Sequence, residues 1–264
     1  ESFLFALSPI FYTMNLSERD KLYNWHPYTQ HKTAKHFPAI VKGEGALLWD
    51  ENNKEYIDAI ASWWVNPFGH SNKTIADAIY KQLTTLEHVL FGGFTHEPAV
   101  LLAEKLIEIL PSNQKKLFYS DNGSTAVEVA IKVAMQYFYN QNIKKTKIIA
   151  FEDAFHGDTF AAMAASGISF FTEAFQGSLL EVVRIPVPTI GNEEKSIQTL
   201  EELVKTNEYA AFIFEPLVQG AAGMVMYQPE VLDKLIAICK QNNVFTIADE
   251  VMTGFGKTGK TFAS

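Results

Sequence analysis

From residue 115 onward the apolar positions fall into two alternating patterns. Short unbroken apolar runs suit strands buried on both faces of a sheet. Longer stretches repeat an apolar residue every three or four positions, the period of an amphipathic helix. The short runs predict strands at 117–120, 148–151, 181–185, 211–214 and 244–251. The longer stretches predict helices at 124–139, 193–208 and 231–242. In 124–139, Val127, Ala130, Ile131, Ala134 and Phe138 form one stripe, and Glu128 and Lys132 share the other face at ion-pair spacing. Alternating strands and helices imply βαβ units, so the fold class is α/β with a mainly parallel sheet. The run Val244, Phe245, Ile247, Val251 reads as a strand covered on both faces, with Asp249 and Glu250 at its carboxyl end.

The earlier chain differs. Residues 43–50 and 55–60 read as two strands around a turn at 51–54, a small antiparallel unit. Helical stripes follow at 74–88 and 98–110. Between the second strand and these helices stand Trp63 and Trp64, which on a strand would face opposite sides. Either one packs in a core while the other lines a pocket, or both are packing residues.

Composition narrows the function classes. The chain has 264 residues, 47% hydrophobic and 20% charged, an ordinary globular balance. A net charge of -8 argues against a nucleic-acid groove. The single cysteine, Cys239, excludes an intramolecular disulfide and reads as a buried helix residue. No apolar run reaches the roughly 18–20 residues of a membrane span. Residues 1–13 are apolar and precede Met14, and are expected to be an extraneous or disordered extension. Residues 14–73 would then form part of a small domain and 74–264 a larger one.

Chemistry gathers where strands end. In open α/β sheets ligands bind outside the carboxyl ends of the strands. Asp121-Asn122-Gly123-Ser124 leads into a helix, where Gly123 allows close backbone approach and Ser124 can cap. Phe155-His156-Gly157-Asp158-Thr159 places an aromatic ring, an imidazole and a glycine after the next strand, suited to a flat ligand. Glu215 to Gly223 and then Asp249 follow two further strands. Each alone has a plainer reading as a cap, a satisfied histidine or a loop charge; four together at one edge do not. No zinc-ligand spacing is present, so no metal is expected. One competing pattern exists: Gly254 to Thr261 satisfies G-x-x-x-x-G-K-[ST], which would make Lys260 a phosphate ligand in an NTPase. The residues Asp249 to Thr253 separate it from the strand it should leave directly, which argues against it.

These motifs resemble the class III aminotransferases, pyridoxal-phosphate enzymes of fold type I. The resemblance runs from about Trp25 to the end. It rests on Asp249-Glu250-Val251-Met252-Thr253-Gly254, on Glu215-Pro216 with Gln219-Gly220, and on Phe155-His156-Gly157. Trp25-His26-Pro27-Tyr28-Thr29, Ser62-Trp63-Trp64 and Phe91-Gly92-Gly93-Phe94 resemble the branch of that family acting in biotin biosynthesis. The resemblance implies an amino transfer from S-adenosylmethionine to 8-amino-7-oxononanoate, in a cytoplasmic homodimer, with no membrane or nucleic-acid partner. It implies cofactor contacts from Gly123, Ser124, Phe155, His156, Glu215 and Asp249, and a substrate pocket from Tyr28, Trp63 and Trp64. Phe155 stands where that branch usually has tyrosine. The family's Schiff-base lysine is expected beyond Ser264, so the chain alone is expected to be incomplete and inactive. Another class III specificity and a non-catalytic cofactor-binding fragment are the alternatives.

Overall fold

The computed structural model describes residues 14–167 and 172–264. The extension expected at residues 1–13 lies outside them. The chain divides into two compact units, Glu1–Thr95 and His96–Ser264.

In the first unit, α1 (Leu16–Tyr23) begins at a capping box. Asn15 accepts from the Glu18 amide and Glu18 reaches back to the Asn15 amide. Strands β1 (Ile40–Glu44), β2 (Leu47–Asp50) and β3 (Glu55–Ile57) form an antiparallel sheet in that order. The two-stranded expectation holds for β2 and β3, and β1 is an additional partner. The Asp50 carboxylate closes the β2–β3 turn by accepting from the amides of Asn52 and Lys54 and from Tyr56 Oη. A single helical turn, α2 (Ala61–Trp64), and the amphipathic α3 (Lys73–Leu83) complete this unit. The tryptophans are not on a strand as expected: Trp63 is exposed and Trp64 half-buried, on a turn of unusual hand described below.

The second unit holds α4 (Glu97–Ile109), α5 (Gly123–Tyr139), β4 (Lys147–Phe151), α6 (Phe160–Ala165), β5 (Val182–Ile185), α7 (Glu193–Val204), β6 (Tyr209–Phe214), the short pair β7 (Val218–Gln219) and β8 (Val225–Met226), α8 (Pro229–Gln241) and β9 (Phe245–Ala248). The main sheet runs β5-β4-β6-β9 and all its pairs are parallel. Alternate residues of each strand serve opposite faces. Ile149, Phe151, Phe212 and Phe214 pack with Leu200 and Val204 of α7 and Leu235 and Cys239 of α8. Ile148, Ala150, Ala211 and Ile213 pack with Val127, Ile131, Ala134 and Phe138 of α5. Every residue of β6 is buried, which is why its sequence is apolar without alternation. Lys145 is nearly buried too. Its ammonium donates to the carbonyls of Asn242 and Asn243, tying the end of α8 to the start of β4.

Three expectations need correction. Residues 117–120 form no strand among the described residues, and Phe118 there is exposed. A strand exists only through a paired neighbour, and no β-ladder is formed at this segment. The run at 244–251 is a shorter strand at the sheet edge, with Phe245, Thr246 and Ala248 exposed rather than covered on both faces. Glu128 does not pair with Lys132. Its carboxylate accepts from the amides of Ala161 and Ala162 at the start of α6.

Candidate functional site

Parallel pairing in register places the ends of three strands side by side. Ala150 pairs with Ile213 and Phe214 with Ala248. The segments beginning at Glu152, Glu215 and Asp249 therefore leave the same sheet edge. The Asp249 amide extends the ladder by donating to the Phe214 carbonyl at 2.8 Å.

Asp249 and His156 meet at this edge. His156 Nδ1 lies 2.8 Å from Asp249 Oδ2, with side-chain exposures of 0% and 7%. A carboxylate accepts, so Nδ1 carries the proton. Asp249 Oδ1 accepts from the Val251 amide. His156 Nε2 is buried and has no hydrogen-bond partner among the described residues. The His156 backbone is fixed as well, since its amide donates to Ser166 Oγ.

The loop carrying His156 is held from both ends of α6. Glu128 receives the amides at the helix start, and the Arg184 guanidinium donates to the carbonyls of Ala164 and Ser166 at its end. An anion at the N-terminus and a cation at the C-terminus both complement the helix dipole. Burial lowers the Arg184 pKa from its ordinary value. From the sequence Glu128 was expected to pair with Lys132, and Arg184 was not singled out. Both lie inside neighbouring elements, far in sequence from the ends they cap.

Ser124 lies on the same side of this loop. Its Oγ accepts from the Thr159 amide at 3.0 Å and shares a 2.8 Å hydrogen bond with Thr159 Oγ1. Gly157, at φ +123°, passes so close that an added Cβ would stand 2.3 Å from Ser124 Oγ. Gly123 packs against Val251 in the same way, an added Cβ falling 2.9 Å from its Cγ2. The cap of α5 is Asn122, which accepts from the Thr125 amide, and not Ser124 as expected.

Glu215 bridges two loops. One carboxylate oxygen accepts from the Phe155 amide and the other from the Gly220 amide. Burial raises its pKa, the two amide bonds acting in the opposite direction. Tyr227 donates its hydroxyl to the Glu215 carbonyl. The Phe155 ring remains partly exposed at the edge.

Six of the expected residues, Gly123, Ser124, Phe155, His156, Glu215 and Asp249, thus belong to one continuous network. Tyr28, Trp63 and Trp64 belong to the first unit, where the Tyr28 and Trp63 rings meet edge-on at 5.5 Å. The pattern at Gly254 to Thr261 is a set of turns. Phe255 and Gly256 both direct their amides to the Thr261 carbonyl rather than into a shared anion nest.

The family profile described as "Aminotransferase class-III" matches residues 28–264. The chain belongs to the class III aminotransferases. Within them, it is 45% identical over 247 residues to the adenosylmethionine-8-amino-7-oxononanoate aminotransferase of Synechococcus elongatus, covering 90% of this chain and 58% of that protein. It is 40% identical to the Staphylococcus aureus protein of the same name, covering 96% of this chain and 60% of that protein. The crystal structure of the Methanocaldococcus jannaschii enzyme of that name superposes with a TM-score of 0.88 at 38% identity, covering 94% of this chain and 57% of that one. The Pseudomonas jessenii omega transaminase in complex with PMP superposes with a TM-score of 0.87 at 31% identity, covering 95% of this chain and 59% of that one. This class III chain therefore spans a little under two thirds of the length of such relatives. The parallel sheet and these neighbours place its fold in type I.

Class III aminotransferases use pyridoxal phosphate. The residues at this sheet edge fit such a group. A buried carboxylate with a fixed imidazole donor can accept from a ring N–H. The close passage of Gly157 over Ser124 brings that loop to the N-terminus of a 17-residue helix, where a phosphate is favoured.

Proposed function

We propose that this chain supplies the cofactor-binding face of an aminotransferase. In this reading the enzyme moves an amino group from S-adenosylmethionine to 8-amino-7-oxononanoate, giving 7,8-diaminononanoate for biotin synthesis. The observation that carries the reading is the buried His156–Asp249 pair in a class III sheet edge, in a chain 45% identical to an enzyme of that name. Pyridoxal phosphate, when bound, supplies an electron sink for the substrate carbon. Asp249 would hold a proton at the ring nitrogen and keep that sink effective. His156 would orient the carboxylate. Gly123 and Ser124 would receive the phosphate at the start of α5, and the Phe155 ring would lie against the flat face of the cofactor. Glu215 would fix the Phe155 backbone through its amide. Tyr28, Trp63 and Trp64 would form the apolar wall of the substrate pocket.

The assembly proposed is a cytoplasmic homodimer. Among the described residues no helix is long and apolar enough to cross a membrane. The second reading is a different class III specificity, favoured by omega transaminases that superpose at TM-scores of 0.87 and 0.88 with 30–31% identity. The test is turnover by the whole product of the gene, with mass-spectrometric detection of 7,8-diaminononanoate. S-adenosylmethionine and a panel of simple amines serve as competing donors. Product from S-adenosylmethionine supports the first reading. Turnover with the amines alone assigns the second.

A further inference from the structure

Ala61, Ser62, Trp63 and Trp64 have φ values of 46°, 50°, 60° and 68°. None is glycine, asparagine or aspartate. The Trp64 amide donates to the Ile60 carbonyl at 2.9 Å, so the segment is one turn of left-handed helix. A left-handed turn is strained for an L-residue, whose Cβ is forced close to the following carbonyl oxygen. Four in succession do not persist without an outside anchor.

The anchor is Asp58. One carboxylate oxygen accepts from the Ser62 amide at 2.9 Å, and the other from the Ser62 hydroxyl at 2.7 Å. The second oxygen also accepts from His70 Nε2 at 2.9 Å. These bonds hold the Asp58 pKa down at about 2, the Ser62 amide contributing most. His70 is fixed in turn. Its Nδ1 accepts from Asn66 Nδ2, which leaves the proton on Nε2 to face Asp58. Its backbone pairs with Gly45 beside the β1–β2 hairpin, where an added Cβ on Gly43 would stand 2.9 Å from His70 Cβ. Rigid sheet, His70, Asp58, Ser62 and the strained turn thus form one chain of contacts. At its end the exposed Trp63 ring meets Tyr28.

We propose that Asp58 is the positioning residue for Trp63, holding the left-handed turn that sets where the indole stands and so how tightly the amino acceptor is bound. The kinetic half of this rests on the substrate reading of Trp63 given above. Both oxygens of the carboxylate are taken up by Ser62 and His70. It acts through Ser62, by both its amide and its hydroxyl.

The experiment labels the whole product of the gene with 5-fluorotryptophan and follows the fluorine NMR signals of Trp25, Trp49, Trp63 and Trp64. Trp63→Phe identifies the Trp63 signal. In Asp58→Ala the Trp63 signal is expected to shift and broaden, with Trp25 and Trp49 unmoved. KM for the acceptor should rise roughly tenfold with kcat changed by less than about twofold, the signature of lost uniform binding. Asp58→Asn, which keeps one acceptor oxygen, should recover most of both. If Asp58→Ala fails to fold, Ser62→Ala removes one bond and should show the same changes in smaller degree. An unmoved Trp63 signal in the folded variants overturns the proposal. So does a moved signal with unchanged KM, when Trp63→Ala itself raises KM. If Trp63→Ala leaves KM unchanged, the substrate reading and the kinetic half fall together, and a moved signal supports the structural half alone.

Discussion

His156 donates from Nδ1 to Asp249 Oδ2 across 93 residues of sequence, and the imidazole has no exposed surface. The pair joins the loops that follow two different strands of the parallel sheet. A hydrogen bond to a charged group contributes about 1.5–3 kcal/mol. His156→Ala should therefore lower unfolding stability by at least that amount in urea titration. His156→Asn offers a side-chain amide near the Nδ1 position and should recover part of it. Equal losses in the two variants would show that imidazole packing, not the hydrogen bond, is the larger effect.

Gly157→Ala tests the approach of the loop to α5. The new methyl would stand 2.3 Å from Ser124 Oγ, on a backbone at φ +123°. Overpacking of this kind costs about 1–3 kcal/mol, and the φ strain adds to it. Pyridoxal-phosphate affinity, read by absorbance titration, should fall with it. Ser124→Gly in the same chain removes both clashing side-chain atoms and should restore stability in part, but not affinity. A Gly157→Ala chain as stable as the parent would mean that the loop moves aside freely.

Cys239 gives a pH prediction. Burial raises its thiol pKa to about 12. An unfolded thiol ionises near 8.5. The folded state thus keeps a proton that the unfolded state releases, so stability should fall as pH rises above about 8.5. The loss continues until the folded thiol ionises near 12. Cys239→Ala should flatten the slope of stability between about pH 9 and 11. An unchanged slope would show that other groups govern the alkaline limb. The native thiol should also resist alkylation at pH 8 until denaturant is added.

Lys257 and Lys260 give the fourth. Both lie in the turns after Asp249, and the Lys257 ammonium is directed to the Gly254 carbonyl. The 264-residue polypeptide, mixed with pyridoxal phosphate and reduced with borohydride, is expected to show scattered, substoichiometric labelling and no transamination. Peptide mapping is the check. Stoichiometric labelling of one lysine together with turnover would show that a residue of this polypeptide serves as the carrier amine.

What could be read from the sequence follows burial. Strands β4 and β6 and helices α5 and α8 were legible because the apolar stripe of each is buried against a face of the sheet. The strand-end positions of His156, Glu215 and Asp249 followed from that alternation. Residues 117–120 have strand composition, but pairing is decided elsewhere in the chain. The cap of α5 fell on Asn122 and not Ser124, a shift of two residues that no periodicity marks. The turn at Ala61–Trp64 was illegible for a stronger reason. None of its residues favours the left-handed region, and its anchor reaches to His70. Glu128 was misread because an exposed-looking i,i+4 partner is the commoner fate of a helix glutamate than a cap on another helix.

Asp249 and Glu250 are adjacent carboxylates with separate duties. Asp249 takes the His156 proton donor, while Glu250 gathers Thr253 Oγ1 and the amides of Ala263 and Ser264. Successive side chains beyond a strand that keep its pleat point to opposite sides, so the division is one of parity. Deleting a single residue from β9 (Phe245–Ala248) would exchange the two carboxylates even though both remain in the chain. Tolerance at this strand should then depend on length more than on side-chain identity: substitutions among apolar residues would pass where any one-residue indel fails.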